Sequence, residues 1–198
     1  MNKYSAEIKV SLQQPDRTLS MHPKKFALWL FIVTIIMLFA ALTSAYIVKQ
    51  ADGNWLSIDL PGIFGINSLI IALSSVTMIW AFRSAKRDNF SELNWGIALT
   101  AILGIMFLVG QYYSWSALVE RNVYFVSNYA SGSFIYIFTG LHGLHLLSGL
   151  IFLLITLRTS LKMKIHSKNL DQLEMCATYW HFLGGLWIYL YLFLSFNS

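Results

Sequence analysis

Residues 26–48 contain no charged side chain over 23 positions. A stretch like this leaves few choices. In lipid every backbone N–H and C=O must be paired within its own segment, so a single apolar run can cross only as a helix. At a rise of 1.5 Å per residue it reaches about 35 Å, enough for a hydrocarbon core of about 30 Å. Four further apolar runs follow at about 63–82, 93–118, 130–157 and 174–196. The pattern predicts an all-α membrane protein with five transmembrane helices spanning residues 25–198, preceded by a polar tail at 1–24. Composition agrees: 57% of the residues are hydrophobic and 12% are charged, against about a quarter charged in soluble domains.

The net charge of +5 invites a nucleic-acid partner, but its distribution points elsewhere. With the N-terminus in the cytoplasm, Lys3, Lys9, Arg17, Lys24, Lys25, Arg83, Lys86, Arg87, Arg158, Lys162, Lys164 and Lys168 lie inside, and only Lys49 and Arg121 lie outside. This 12-to-2 split is the positive-inside bias of a membrane protein. It predicts a cytoplasmic N-terminus, a periplasmic C-terminus and no nucleic-acid partner. The tail lacks the early apolar core of a signal peptide and is expected to stay on the mature protein. The lone Cys176 cannot form an internal disulfide and reads as a small packed side chain.

Punctuation supports the helix boundaries. Pro23 suits a first helical turn, Asp52-Gly53 signals a turn, and Asn89–Glu92 and Asp171–Glu174 have capping-box spacing. No proline interrupts a span. Small and polar groups mark expected packing faces: Asn67 and Ser74, seven apart on the second helix; Gly96, Thr100 and Gly104 at every fourth position on the third; and Gly143 and Gly149 on the fourth. Tyr112, Tyr113 and Trp115 form an aromatic belt at the end of the third span.

Two stretches carry polar groups that lipid would reject: FIYIFTGLHGLHLLSG at 134–149 and EMCATYWHFLGGLW at 174–187. On the fourth helix His142, His145 and Gly149, extended by Thr139, recur at spacings that share a face. On the fifth, Glu174, Thr178, His181 and Gly185 form a second stripe. The simplest packing turns the stripes toward each other or toward another subunit. Histidines on neighbouring spans can ligate haem, which would make the chain an electron-carrying haem b anchor. Levelling the two helices leaves the best pair about 8 Å out of register, which disfavours axial ligation. A proton path through Glu174 and His181 is a second reading. Neutral histidines in interhelical or lipid contacts, with Glu174 as a capping acid, are the plainer one. No cysteine or carboxylate is spaced to complete a zinc site around His142 and His145. No phosphate loop or nucleophile elbow is present, and the unbroken helices argue against a transporter.

TGLHGLH at 139–145 with Gly149 resembles the signature of subunit III of haem–copper terminal oxidases. Gly132-Ser133-Phe134 fits, as do Glu174 followed by Tyr179-Trp180-His181-Phe182 and Trp187. The resemblance covers roughly residue 25 to the end, and five spans match the short bacterial form. It implies a subunit of a proton-pumping terminal oxidase in the bacterial inner (plasma) membrane, cytochrome c oxidase of aa3 type foremost. A quinol oxidase or a nitric-oxide-reductase-associated homologue is the alternative. It also implies no haem or copper in this chain, those groups belonging to partner subunits. Direct partners would be subunit I, with subunit II and small subunits in the same complex, bound phospholipid, and a larger respiratory supercomplex as a further possibility. His142, His145, Glu174, Trp180 and His181 would be packing and lipid-contact residues. The sequence departs from the family where Ile35, Ser114 or Trp115, and Gly184 stand at positions often acidic. That loss of carboxylates implies a supporting role without proton conduction.

Overall fold

The computed structural model describes residues 23–51, 55, 58–126, 130–162 and 170–197. Residues 1–22 of the expected polar tail at 1–24, the Asp52-Gly53 turn and most of the basic loop before the last helix lie outside the described residues, and Pro23 and Lys24 belong to the first helix. Five helices account for nearly all the rest: α1 (Pro23–Gln50), α2 (Ile63–Lys86), α3 (Phe90–Glu120), α4 (Ala130–Leu161) and α5 (Asp171–Asn197). Each encloses one of the five apolar runs. The first four are long and apolar enough to cross a membrane. The 27 residues of α5 reach about 40 Å, but its tyrosines, tryptophans, glycines and two acids make it less apolar.

Helices α2, α3, α4 and α5 each pack on two neighbours in the order α2–α3–α4–α5–α2, closing a four-helix ring. Helix α1 lies outside the ring and, among the described helices, packs on α4 and α5 alone. Its remaining surface is apolar and exposed, with Trp29, Leu30, Val33, Ile36 and Met37 facing outward. The ring interior is filled by Trp180, Trp187, Phe107, Ile71 and Met78. Lipid is as apolar as these side chains, so hydrophobicity alone does not join the helices; close packing and interhelical hydrogen bonds must.

The closest seam is α2 against α3. Gly96 sits against Ala81, where an added methyl would lie 2.8 Å from the Ala81 Cβ. One turn on, the Thr77 and Thr100 hydroxyls bond across the seam at 2.8 Å. Asp88, at φ 53°, provides the left-handed residue that reverses the chain between α2 and α3, a conformation Asp tolerates better than most.

Only half of the expected capping box forms at α3. The Asn89 side chain accepts from the Glu92 N–H at 3.4 Å. The Asn89 N–H goes instead to the Ser84 carbonyl, and the Glu92 carboxylate accepts from the Ser84 hydroxyl at 2.9 Å. The last turn of α2 thus takes both groups. At α5 the Glu174 N–H donates to the Leu170 carbonyl at 2.8 Å. Helical bonding there begins before Asp171, and the Glu174 N–H is not the orphan that an Asp171 cap would satisfy.

Candidate functional site

The signature stretch of α5 reaches across the ring to α2, and tryptophans make the junction. Trp180 donates its indole N–H to the Ser74 hydroxyl at 3.1 Å. Trp187 donates to Ser68 at 3.0 Å. Each serine turns its own proton back onto its helix, Ser74 to the Ile71 carbonyl and Ser68 to the Phe64 carbonyl, which leaves an oxygen lone pair free for the indole. Glycines make room for the rings. A methyl on Gly104 would lie 2.6 Å from the Trp180 ring, and one on Gly149 would lie 2.8 Å from Leu183. Asn67 packs flush on Gly110 and donates to Ser114 at 3.4 Å. Gly143 differs: among the described residues a methyl there would meet nothing within 4 Å.

The histidines part company. His142 is fully buried, its ring 5.9 Å from Phe107 and 5.1 Å from Trp187, centroid to centroid. His145, half-buried, turns toward α1, 5.9 Å from Phe39 and 6.4 Å from Phe31. Its Nδ1 is bonded to the Leu141 carbonyl at 2.7 Å. Positions three apart on a helix diverge by about 60°, and here that is enough to give the two rings different neighbours. His181 is half-buried on α5, one turn before Gly185.

The α5 stripe does not turn toward α4. Glu174 and Gly185 are exposed, and Thr178 and His181 are half-buried. The inward face is instead Cys176, Tyr179, Trp180, Leu183 and Trp187. The large aromatic and aliphatic groups take the interior because they fill it, and the stripe is displaced to the outer surface. One α4–α5 link is a hydroxyl pair, Ser148 with Tyr179 at 2.8 Å.

Glu174 ends on an ammonium. Lys25, at the start of α1, lies 2.8 Å from the Glu174 carboxylate and 3.0 Å from Asp171. This clip ties the outlying α1 to the first turn of α5. Lys25 did not stand out in the sequence. The available signal was a cation flanking Pro23 together with two acids in the first turn of another helix. Gln111, one of two side-chain amides within the third span with Asn94, was not singled out as a site residue, and it is buried.

The match to known proteins extends beyond these motifs. The family model described as Cytochrome c oxidase subunit III fits residues 11–198. The chain belongs to the cytochrome c oxidase subunit III family. Among subunit III relatives, "Cytochrome c oxidase subunit 3" of Spodoptera frugiperda is 33% identical over 127 residues, covering 64% of this chain and 84% of the relative. The Rattus norvegicus protein of the same name is 31% identical over 129 residues, 64% of this chain and 47% of its own length. "Probable cytochrome c oxidase subunit 3" of Nocardia farcinica is 32% identical over 163 residues, covering 79% of both chains. The match thus spans about half the length of the rat subunit III and most of the other two. With four helices long and apolar enough to cross a membrane, this subunit III family member is a multi-pass membrane protein.

Proposed function

We propose that this chain is the non-redox, supporting subunit III of an aerobic haem–copper cytochrome c oxidase, of aa3 type. It would pack directly on subunit I, beside subunit II and small subunits, and support oxygen reduction coupled to proton pumping. In this reading α5 is the fifth span, the N-terminus is cytoplasmic, the C-terminus is periplasmic, and the membrane is the bacterial inner membrane. The haem and copper belong to the partner subunits.

The observation that carries the supporting role is the use made of the histidines. The His142 ring is enclosed by Phe107 and Trp187, while His145 lies against Phe31 and Phe39. An axial ligand needs an open flat space for the macrocycle. These rings are fitted into aromatic packing, which supports interhelical contact over electron transfer.

Phospholipid binding draws support from two surface grooves. One, about 420 Å³, runs between α1 and α5 and is walled by Ile36, Phe39, Phe182, Gly185 and Tyr189; His181 is one turn away on the same face of α5. The other, about 370 Å³, is lined by Lys24 and Gln172 together with Leu28, Phe152 and Met175. A cation and an amide above an apolar floor suit an amphipathic lipid.

The test is purification through a tag on this chain from native membranes. Haem-bearing large subunits should co-purify, and lipid should be retained. Replacing both His142 and His181 with Leu should reduce assembly or turnover lifetime while leaving the haem bands of the surviving complex unchanged. Loss of a haem band, or a stoichiometric b-type spectrum from the chain purified alone with haem supplied, would overturn this function.

A further inference from the structure

We propose that Gln111 of α3 and His142 of α4 together form a binding site for internal water at hydrocarbon depth. Both side chains are buried, Gln111 to 3% exposure and His142 to none. The Gln111 Oε1 and Nε2 and the His142 Nδ1 and Nε2 make no hydrogen bond to the described residues. Two facts place them at one level. Phe107, Gln111 and Trp115 follow one another at four-residue spacing and so share a face of α3. Below Gln111, the Phe107 ring packs edge-on to His142; above it, Trp115 donates to the Thr139 hydroxyl at 3.0 Å. On α4, Thr139 and His142 are three apart. Gln111 is therefore bracketed between two contacts to the very turn of α4 that carries His142.

The other polar groups of this layer are engaged. The Thr139 hydroxyl donates to the Ile135 carbonyl and accepts from Trp115. The Ser114 hydroxyl donates to the Gly110 carbonyl and accepts from Asn67. A primary amide and a neutral imidazole each offer both a donor and an acceptor. A water bridging them can meet two to four such groups, which is how buried water is held in proteins. Buried polar groups this far from the headgroups have no other solvent.

A groove of about 210 Å³ between α3 and α4 is lined by Gln111 together with Trp115, Gly140 and Gly143. Gly143 adjoins His142 in the chain and has nothing over it within 4 Å. The site does not depend on the oxidase reading; it depends only on these two helices.

Two measurements on the full chain in lipid nanodiscs test it. In a double-mutant cycle, Gln111→Leu and His142→Phe should each speed unfolding about tenfold, and the double variant should unfold no faster than the worse single one, because removing both groups leaves no orphan. Multiplicative effects would overturn the coupling. On the unaltered chain carrying ¹⁵N-histidine, water-edited solid-state NMR should show magnetisation transfer from water to the His142 ring, recognised by its contacts with Phe107 and Trp187. Absence of that transfer would overturn the water site, even with coupling intact.

Discussion

Trp180 of α5 donates its indole N–H to Ser74 of α2 at 3.1 Å, while the same ring closes over Gly104 of α3. One side chain thereby joins three helices of the ring. Its group is polar at one edge and flat elsewhere, and the sequence supplies a hydroxyl for the edge and a missing side chain for the face.

Gly104→Leu should be among the most damaging single substitutions. Even a methyl at this position would lie 2.6 Å from the Trp180 ring, and the rigid indole cannot shift without losing Ser74. Overpacking of this kind costs about 1–3 kcal/mol or more. Gly143→Ala is the matched control, since its added methyl meets nothing within 4 Å; its effect should stay within about 0.5 kcal/mol. Unfolding in mixed detergent–lipid micelles checks both, and equal losses would refute the packing asymmetry.

Ser74→Ala should leave the Trp180 N–H buried without an acceptor. The expected loss is about 0.6 kcal/mol, the average for interhelical hydrogen bonds in membranes, and at most about 1.7 kcal/mol. Trp180→Phe combined with Ser74→Ala should recover the hydrogen-bond part of that loss, because no orphan donor remains. A cycle with zero coupling would show that the bond contributes nothing.

Lys25→Gln should loosen α1 selectively. Among the described helices this one packs on α4 and α5 alone, and Lys25 clips its first turns to Glu174 and Asp171. Hydrogen exchange should rise in the first two turns of α1 while the four-helix ring keeps its protection. High salt should mimic the substitution, since exposed ion pairs are screened. Uniform loss across all helices would contradict the clip.

Glu174→Gln should leave the proton-to-electron ratio of the assembled oxidase unchanged and weaken only the α1–α5 clip. The carboxylate is exposed and engaged with Lys25 rather than aimed into the bundle. Proton release measured in reconstituted vesicles against electron flow decides it; a collapsed ratio would assign Glu174 to proton transfer.

Much of the site's chemistry was readable as residue types and little of it as partners. The spacing of Asn67 and Ser74 announced a packing face, yet one bonds to α3 and the other to α5. The run Gly96, Thr100 and Gly104 announced a close approach, but its first two members receive α2 and its third receives Trp180. Glu174 sat at capping distance from Asp171, and a lysine 149 residues away took it instead.

The number and positions of the helices were determined by the sequence alone. Lipid leaves the backbone no partner outside its own segment, so an uncharged apolar run of sufficient length has one solution. Which residues face inward was decided only by the tertiary structure. These helices are apolar nearly all round, so no polar face orients them. Their rotation is set by where the largest rings fit, and Trp180 and Trp187 take the interior of α5. That choice carries Glu174, Thr178, His181 and Gly185 outward. On α4 a divergence of about 60° sends His142 into the core and His145 toward α1, a separation that depends on where α1, α3 and α5 stand and is invisible in a motif read along one helix.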